Sequence, residues 1–203
     1  MSRVTTKNST KKLTFMAIFA ALIIVLQIVA TFVKFGPVSI TLALVPIIVG
    51  AAIYGKRAGA FLGLVFGLVV YIVGLMGWDG GFVLYLSGAS FYTGFLTAAL
   101  CIVKGVAAGF IAGAVYEAIK NKKAAVAAAG ALCPITNTGI FAAGILLFFM
   151  KNLTESTAVG QTALYTLFVG WVGINFIVEL FVNLILSAAI CRIIEAGAKV
   201  NKK

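Results

Sequence analysis

The sequence predicts an all-α membrane protein in which six transmembrane helices form a single bundle. Of its 203 residues, 63% are hydrophobic and 10% are charged, whereas a soluble domain is about 45–50% apolar and about 25% charged. The mean hydropathy of +1.15 excludes a soluble globular protein. Since one helical crossing takes roughly 20 residues, residues 1–203 have room for one domain with six crossings, their loops and a basic tail over residues 1–12.

Six apolar runs, separated by short charged or glycine-rich connections, define the predicted helices. They are Leu13–Val33, Val38–Ile53, Ala58–Gly77, Ile102–Ile119, Ala124–Met150 and Ala163–Ile190. Residues 78–101 are also apolar but rich in Gly, Ser, Thr and aromatic residues, and we expect them to form a long extracellular loop on the bundle. Irregular backbone is stable at membrane depth only where protein or a water-filled cavity satisfies its polar groups.

The positive charges predict how the bundle is oriented. The chain has 16 Lys and Arg against five Asp and Glu, a net charge of +11. Thirteen basic residues fall on one side of the predicted bundle and only Lys34 and Lys151 on the other, with Lys104 at the predicted outer start of the fourth helix. The positive-inside rule therefore places both termini in the cytoplasm. Because these residues lie between hydrophobic spans, they indicate contact with anionic lipid and not with nucleic acid.

The residue types indicate neither catalysis nor a bound metal. The chain has no His, its five carboxylates are scattered, and its three Cys have no CxxC spacing. We therefore predict no enzymatic activity, no cofactor and no metal site. The segment Gly50–Arg57 is close to the phosphate-loop pattern GxxxxGK[ST], but Arg57 replaces the Ser or Thr that would hold magnesium. We interpret it as a cytoplasmic helix hairpin, so any uphill transport would need a partner or an ion gradient.

Rows of small residues at four-residue spacing predict where helices approach closely. Three such rows are Ala17/Ala21, Gly59/Gly63/Gly67 and Gly105/Gly109/Gly113. The two glycine rows are expected to pack inside the bundle. The alanine row lies in the predicted cytoplasmic half of the first helix, next to the basic tail, where a docking face for another membrane protein and ordinary packing are both consistent with the pattern.

Polar residues inside predicted spans indicate a binding site, because each of them costs free energy in a bilayer. The sixth helix carries a polar stripe at four-residue spacing, formed by Trp171, Asn175, Glu179 and Asn183. The fifth helix is predicted to break at Pro134, beside Asn137 and Thr138. Lys104 could snorkel to the interface or hold a carboxylate. The stripe fits a ligand-binding wall and hydrogen bonding between helices equally well.

Several segments resemble the substrate-binding S components of energy-coupling factor (ECF) vitamin transporters. They are KKLTFMAIFAALIIVLQ with Ala17 and Ala21, FGPVSITLALVPIIVGAAIYGKRAGAFLGLVFGLV, Lys104–Gly109, CPITNTGIF and INFIVELFVN, which together extend over most of the chain. The resemblance implies a six-helix bundle in the bacterial cell membrane, with both termini inside and a vitamin pocket closed by outer loops. It also implies docking through the alanine row to a transmembrane T component, with two cytoplasmic ATPases completing the complex.

The residues leave the vitamin open. Pantothenate is favoured because Lys104 could pair with its carboxylate while Asn137 and Asn175 satisfy hydroxyls and amides. Riboflavin is the competitor, with stacking residues drawn from Trp78, Tyr85, Phe91 and Tyr92. Two other classes also remain: a stand-alone secondary transporter with Glu179 as its ion site, and a membrane scaffold that binds no ligand.

Overall fold

The computed structural model describes the greater part of the chain. The described residues are 2–32, 34–35, 38–39, 42–78, 90–155 and 176–186, with the single positions 162, 165, 173 and 189. Within them the chain is almost entirely helical, which confirms the all-α class.

Seven helices and one small hairpin follow each other along the described residues. The helices are α1 (Ser2–Ala30), α2 (Leu44–Tyr54), α3 (Lys56–Leu75), α4 (Phe91–Ala118), α5 (Lys122–Phe148), α6 (Met150–Glu155) and α7 (Phe176–Leu186). Between α1 and α2, the two-residue strands β1 (Lys34–Phe35) and β2 (Val38–Ser39) pair antiparallel, with Lys34 opposite Ser39.

Four of the described helices are long and apolar enough to cross a membrane. They are Thr10–Ala30, Lys56–Leu75, Phe91–Ala118 and Lys122–Phe148, and they correspond to the first, third, fourth and fifth predicted spans. The second predicted span is shorter than expected, because the residues before Leu44 include the β-hairpin and α2 itself has only 11 residues. Of the sixth, the structure describes chiefly α7.

The fourth helix begins eleven residues earlier than predicted, at Phe91 instead of Ile102. Ser90 starts it with a capping box, in which the Ser90 hydroxyl accepts from the Thr93 N–H and the Thr93 hydroxyl accepts from the Ser90 N–H. The Thr97 hydroxyl donates to the Thr93 carbonyl at 2.8 Å, so this polar side chain is satisfied within the helix. The predicted loop over residues 78–101 is therefore wrong for its last eleven residues.

The predicted break in the fifth helix is also wrong. Pro134 lies buried inside α5, which continues from Lys122 to Phe148 without interruption. Proline removes one backbone donor from a helix, but transmembrane helices tolerate this loss where packing holds the chain in place.

The two glycine rows pack inside the bundle, as predicted, and the structure shows that they face each other across an antiparallel interface between α3 and α4. Gly59 lies against the Gly109 backbone, Gly63 against Gly105, and Gly67 against Cys101. A Cβ atom at Gly63 would collide with the Gly105 carbonyl oxygen, and a Cβ at Gly105 would collide with that of Gly63. The helices can approach this closely only because neither has a side chain there.

Gly63→Ala is expected to lower the free energy of unfolding by about 1–3 kcal/mol, since overpacking a tight interface costs about that much. Gly139→Ala is the matched control, because nothing lies within 4 Å of a Cβ at that position of α5. This control should be neutral or stabilise by about 0.5–1 kcal/mol, the usual gain in a helix interior. Denaturant titration in detergent micelles compares the two, and equal effects would contradict the interface.

The connection between α2 and α3 is a tight helix hairpin, which confirms that Gly50–Arg57 is no phosphate loop. Gly55 makes the turn with φ of +89°, a conformation that favours glycine. The Glu117 carboxylate then accepts a hydrogen bond from the Lys56 N–H at 2.9 Å and lies 3.5 Å from its Nζ. Glu117 thus ties the end of α4 to the first turn of α3.

Candidate functional site

Lys104 is a buried cation in the middle of α4. The residue is only 9% exposed. Thirteen residues of α4 precede it, which at 1.5 Å each places it about 20 Å from the start of the helix. The predicted position of Lys104, at the outer start of the fourth helix, is therefore wrong, because that helix begins at Phe91.

Two phenylalanine rings border the Lys104 ammonium group. Nζ lies 4.9 Å from the ring centroid of Phe141 on α5 and 6.0 Å from that of Phe66 on α3. Both distances are within the range of a cation–π interaction. Within the described residues, Lys104 has no carboxylate within 4.0 Å. Among the described residues, the ammonium group therefore has the two rings beside it but no counter-charge.

Asn137 lies on the same face of α5 as Phe141, one helical turn away. It is 5% exposed, and its Oδ1 accepts no hydrogen bond within the described part of the chain. The packing of Gly144 against Leu100 fixes the antiparallel register of α4 and α5, and this register brings Asn137 to within about one turn of Lys104. Thr138, the next residue, is half-buried. A buried cation and a free acceptor thus share one region of the bundle.

The described part of the predicted stripe is buried on α7. Glu179 is 5% exposed and Asn183 is fully buried, and the Asn183 side chain donates from Nδ2 to the Glu179 carbonyl at 2.8 Å. The Asn183 Oδ1 accepts no hydrogen bond from any described residue. Trp171 and Asn175 lie outside the described residues.

The aromatic candidates do not join this region within the described residues. Tyr92 lies in the first turn of α4 and is 64% exposed, about 18 Å along the helix from Lys104. Trp78 and Phe91 are exposed as well, and Tyr85 lies outside the described residues.

Ala17 and Ala21 lie on an exposed face of α1. The opposite face of that helix, which includes Met16, Ile23 and Gln27, is buried against the bundle. Because successive steps of four residues turn only about 40° around a helix, the two alanines present one continuous surface with little side-chain bulk.

Comparison with known proteins identifies the family. A model described as the substrate-specific component of ECF transporters matches residues 11–191. The chain belongs to this family. The resemblance found in the sequence is thereby confirmed. Members of this family are substrate-binding components of membrane transporters and not enzymes.

One relative of this S component is the pantothenic acid transporter PanT of Lactococcus lactis subsp. cremoris (strain MG1363). The two sequences are 41% identical over 70 residues, which correspond to 32% of this chain and 35% of the relative. The match thus spans about a third of the length of either protein.

Three residues of the S component escaped the sequence analysis: Phe66 and Gln27, which are buried, and Phe141, which is half-buried. Phe66 and Phe141 are indistinguishable in sequence from other core aromatics, and only the positions of α3 and α5 beside Lys104 reveal them. Gln27 stands alone in the apolar run of α1, is 6% exposed, and has an Oε1 atom without a hydrogen bond among the described residues. A lone amide in an apolar span was a signal that could have been used.

Proposed function

We propose that this S component binds pantothenate within the membrane and delivers it for uptake through an ATP-driven ECF transporter. The observation that carries the choice of vitamin is the buried Lys104 ammonium group, which has no carboxylate partner among the described residues. A charge at the centre of a span costs about 2.5–3.5 kcal/mol, and a ligand carboxylate would offset that cost. The PanT relative supports the same vitamin.

Pantothenate also matches the second buried group of the site. It carries hydroxyls and an amide N–H besides its carboxylate, and the Asn137 Oδ1 is an acceptor without a described donor. Riboflavin has no carboxylate, so it would leave Lys104 unneutralised, and its candidate stacking residue Tyr92 lies about 18 Å from Lys104 along α4. The geometry therefore favours pantothenate over riboflavin.

The proposed complex contains a T component docked on Ala17 and Ala21 and two cytoplasmic ATPases. The proposal includes six spans, both termini in the cytoplasm and a ligand site that opens to the outside. Asn175, Glu179, Trp171 and Thr138 complete the proposed wall of the site, with Tyr85 and Tyr92 at its outer side. Glu179 as the ion site of a stand-alone secondary transporter is the alternative, and the liposome experiment in the Discussion separates the two.

Alanine variants of the amide side chains test where the ligand lies. An unpaired buried partner costs about 1–3 kcal/mol, so Asn137→Ala and Asn175→Ala are each expected to weaken pantothenate binding by roughly one to two orders of magnitude. Isothermal titration calorimetry on the purified protein measures the change.

The control is Asn121→Ala, at the exposed start of α5 where the Asn121 side chain caps the helix. Because Asn121 lies about 24 Å from Asn137 along α5, this variant should bind as the unchanged protein does. Unchanged affinity in Asn137→Ala, Asn175→Ala and Glu179→Ala together would place the ligand elsewhere.

A further inference from the structure

We propose that Phe66 and Phe141 form an aromatic clamp that holds the Lys104 ammonium group ready for a ligand carboxylate, and that this clamp sets the preference for acids over neutral analogues. The inference rests on the proposed function, because it assigns a positioning role to two residues beside the proposed carboxylate site. The clamp consists of Phe66, Phe141 and Lys104.

The position of Lys104 leaves its ammonium group without a route to water along α4. A lysine near a helix end snorkels to the interface by means of its flexible stem. Lys104 lies about 20 Å from the start of α4, with a further 14 residues of the helix after it, so neither end is within reach of its side chain. The ammonium group must therefore be stabilised where it lies.

The two rings provide that stabilisation without neutralising the charge. A ring face attracts the cation through its quadrupole, but it carries no net charge and accepts no conventional hydrogen bond from the ammonium group. The rings consequently leave the ammonium group open to an incoming anion. A carboxylate in place of either ring would form a permanent ion pair with Lys104 and compete with the ligand.

The backbone packing holds the clamp in position from both sides. Phe66 is fully buried beside the glycine interface, with its Cδ1 3.1 Å from the position that a Cβ of Gly105 would occupy. Phe141 lies on α5, where Leu100 of α4 fits against Gly144. The rings therefore belong to helices on two sides of α4, and both are fixed relative to Lys104.

The arrangement also suggests which part of the ligand is recognised. Asn137 lies four residues from Phe141 on α5, a rise of about 6 Å, and its Oδ1 is an acceptor without a described donor. In pantothenate, two methylene groups separate the carboxylate from the amide N–H, a spacing comparable with one helical turn. The clamp would thus recognise the acid end of pantothenate and Asn137 its amide.

Calorimetry with two ligands tests the clamp. Pantothenate and pantothenol, in which a CH2OH group replaces the carboxylate, are titrated into the same protein preparations. The ratio of the two dissociation constants reports recognition of the carboxylate and does not depend on the fraction of folded protein. We expect the unchanged protein to prefer pantothenate, and Lys104→Met to reduce that preference roughly 10- to 100-fold by removing a charge-assisted contact.

Phe141→Leu keeps an apolar side chain but removes the ring, and it should reduce the preference roughly 3- to 30-fold. Phe141→Tyr restores a ring and should restore the preference. Phe149→Leu is the matched control, because Phe149 is fully buried in the same helical region but makes no described contact with Lys104, so any loss of affinity there should be equal for the two ligands.

Two outcomes would overturn the proposal, and they are distinguishable. If Phe141→Leu weakens both ligands equally, or leaves both unchanged, while Lys104→Met abolishes the preference, the clamp is contradicted and the proposed function stands. If the unchanged protein binds neither ligand, the proposed function is contradicted and the clamp loses its basis with it.

Discussion

Ala17→Trp and Ala21→Trp are each expected to abolish assembly of the S component with its T component. Both alanines are exposed on one face of α1, and small residues at this spacing let two transmembrane helices approach closely. An indole ring at either position would hold the partner helix away along the whole contact. Co-purification of the tagged S component with the T component and the ATPases measures assembly.

Pantothenate binding by the isolated S component should survive both substitutions, because Lys104 and Asn137 lie on α4 and α5 and not on the exposed face of α1. Leu22→Trp is the control, since Leu22 is exposed on α1 but lies about 100° around the helix from Ala21. This variant should assemble normally. Loss of pantothenate affinity in the alanine variants with assembly intact would contradict the docking face.

Composition and small-residue spacing were sufficient to predict the framework of this protein. Four predicted spans correspond to apolar helices in the structure, and the two glycine rows meet at the interface of α3 and α4. These features are local and repetitive: a span needs only length and hydrophobicity, and a close helix contact needs only glycine at one face. Both features can therefore be predicted from a single sequence.

The start of α4 could not be read from composition. The segment 91–101 looks like a loop because it contains Thr, Gly and aromatic residues, yet Ser90 and Thr93 cap the helix and Thr97 satisfies its own hydroxyl on the Thr93 carbonyl. The continuity of α5 through Pro134 could not be predicted either, because the neighbouring helices decide whether a proline ends a transmembrane helix.

The location of the candidate site depends on where α4 begins. With the helix starting at Phe91, Lys104 moves from the predicted outer mouth to the middle of α4, where Phe66 and Phe141 can border it. The residues of the site could be named from the sequence, since an unpaired Lys or Asn in an apolar run is conspicuous. Their neighbours could not, because these depend on how three helices pack.

We propose that the chain binds a vitamin but cannot drive its transport alone. The one segment close to a phosphate loop is a helix hairpin, and its Lys56 is paired with Glu117. In the proposed complex, ATP is therefore hydrolysed by other subunits. The competing account makes Glu179, buried on α7, the ion site of a secondary transporter that needs no partner.

Uptake of radiolabelled pantothenate into liposomes decides between these accounts. The S component alone should bind the vitamin without accumulating it, with or without an imposed proton or sodium gradient. Accumulation should require the T component, both ATPases and ATP inside the liposomes, and Ala17→Trp should abolish it. If an ion gradient instead drives uptake through this chain alone, and Glu179→Gln stops that uptake, the protein is a secondary transporter and the account given above is contradicted.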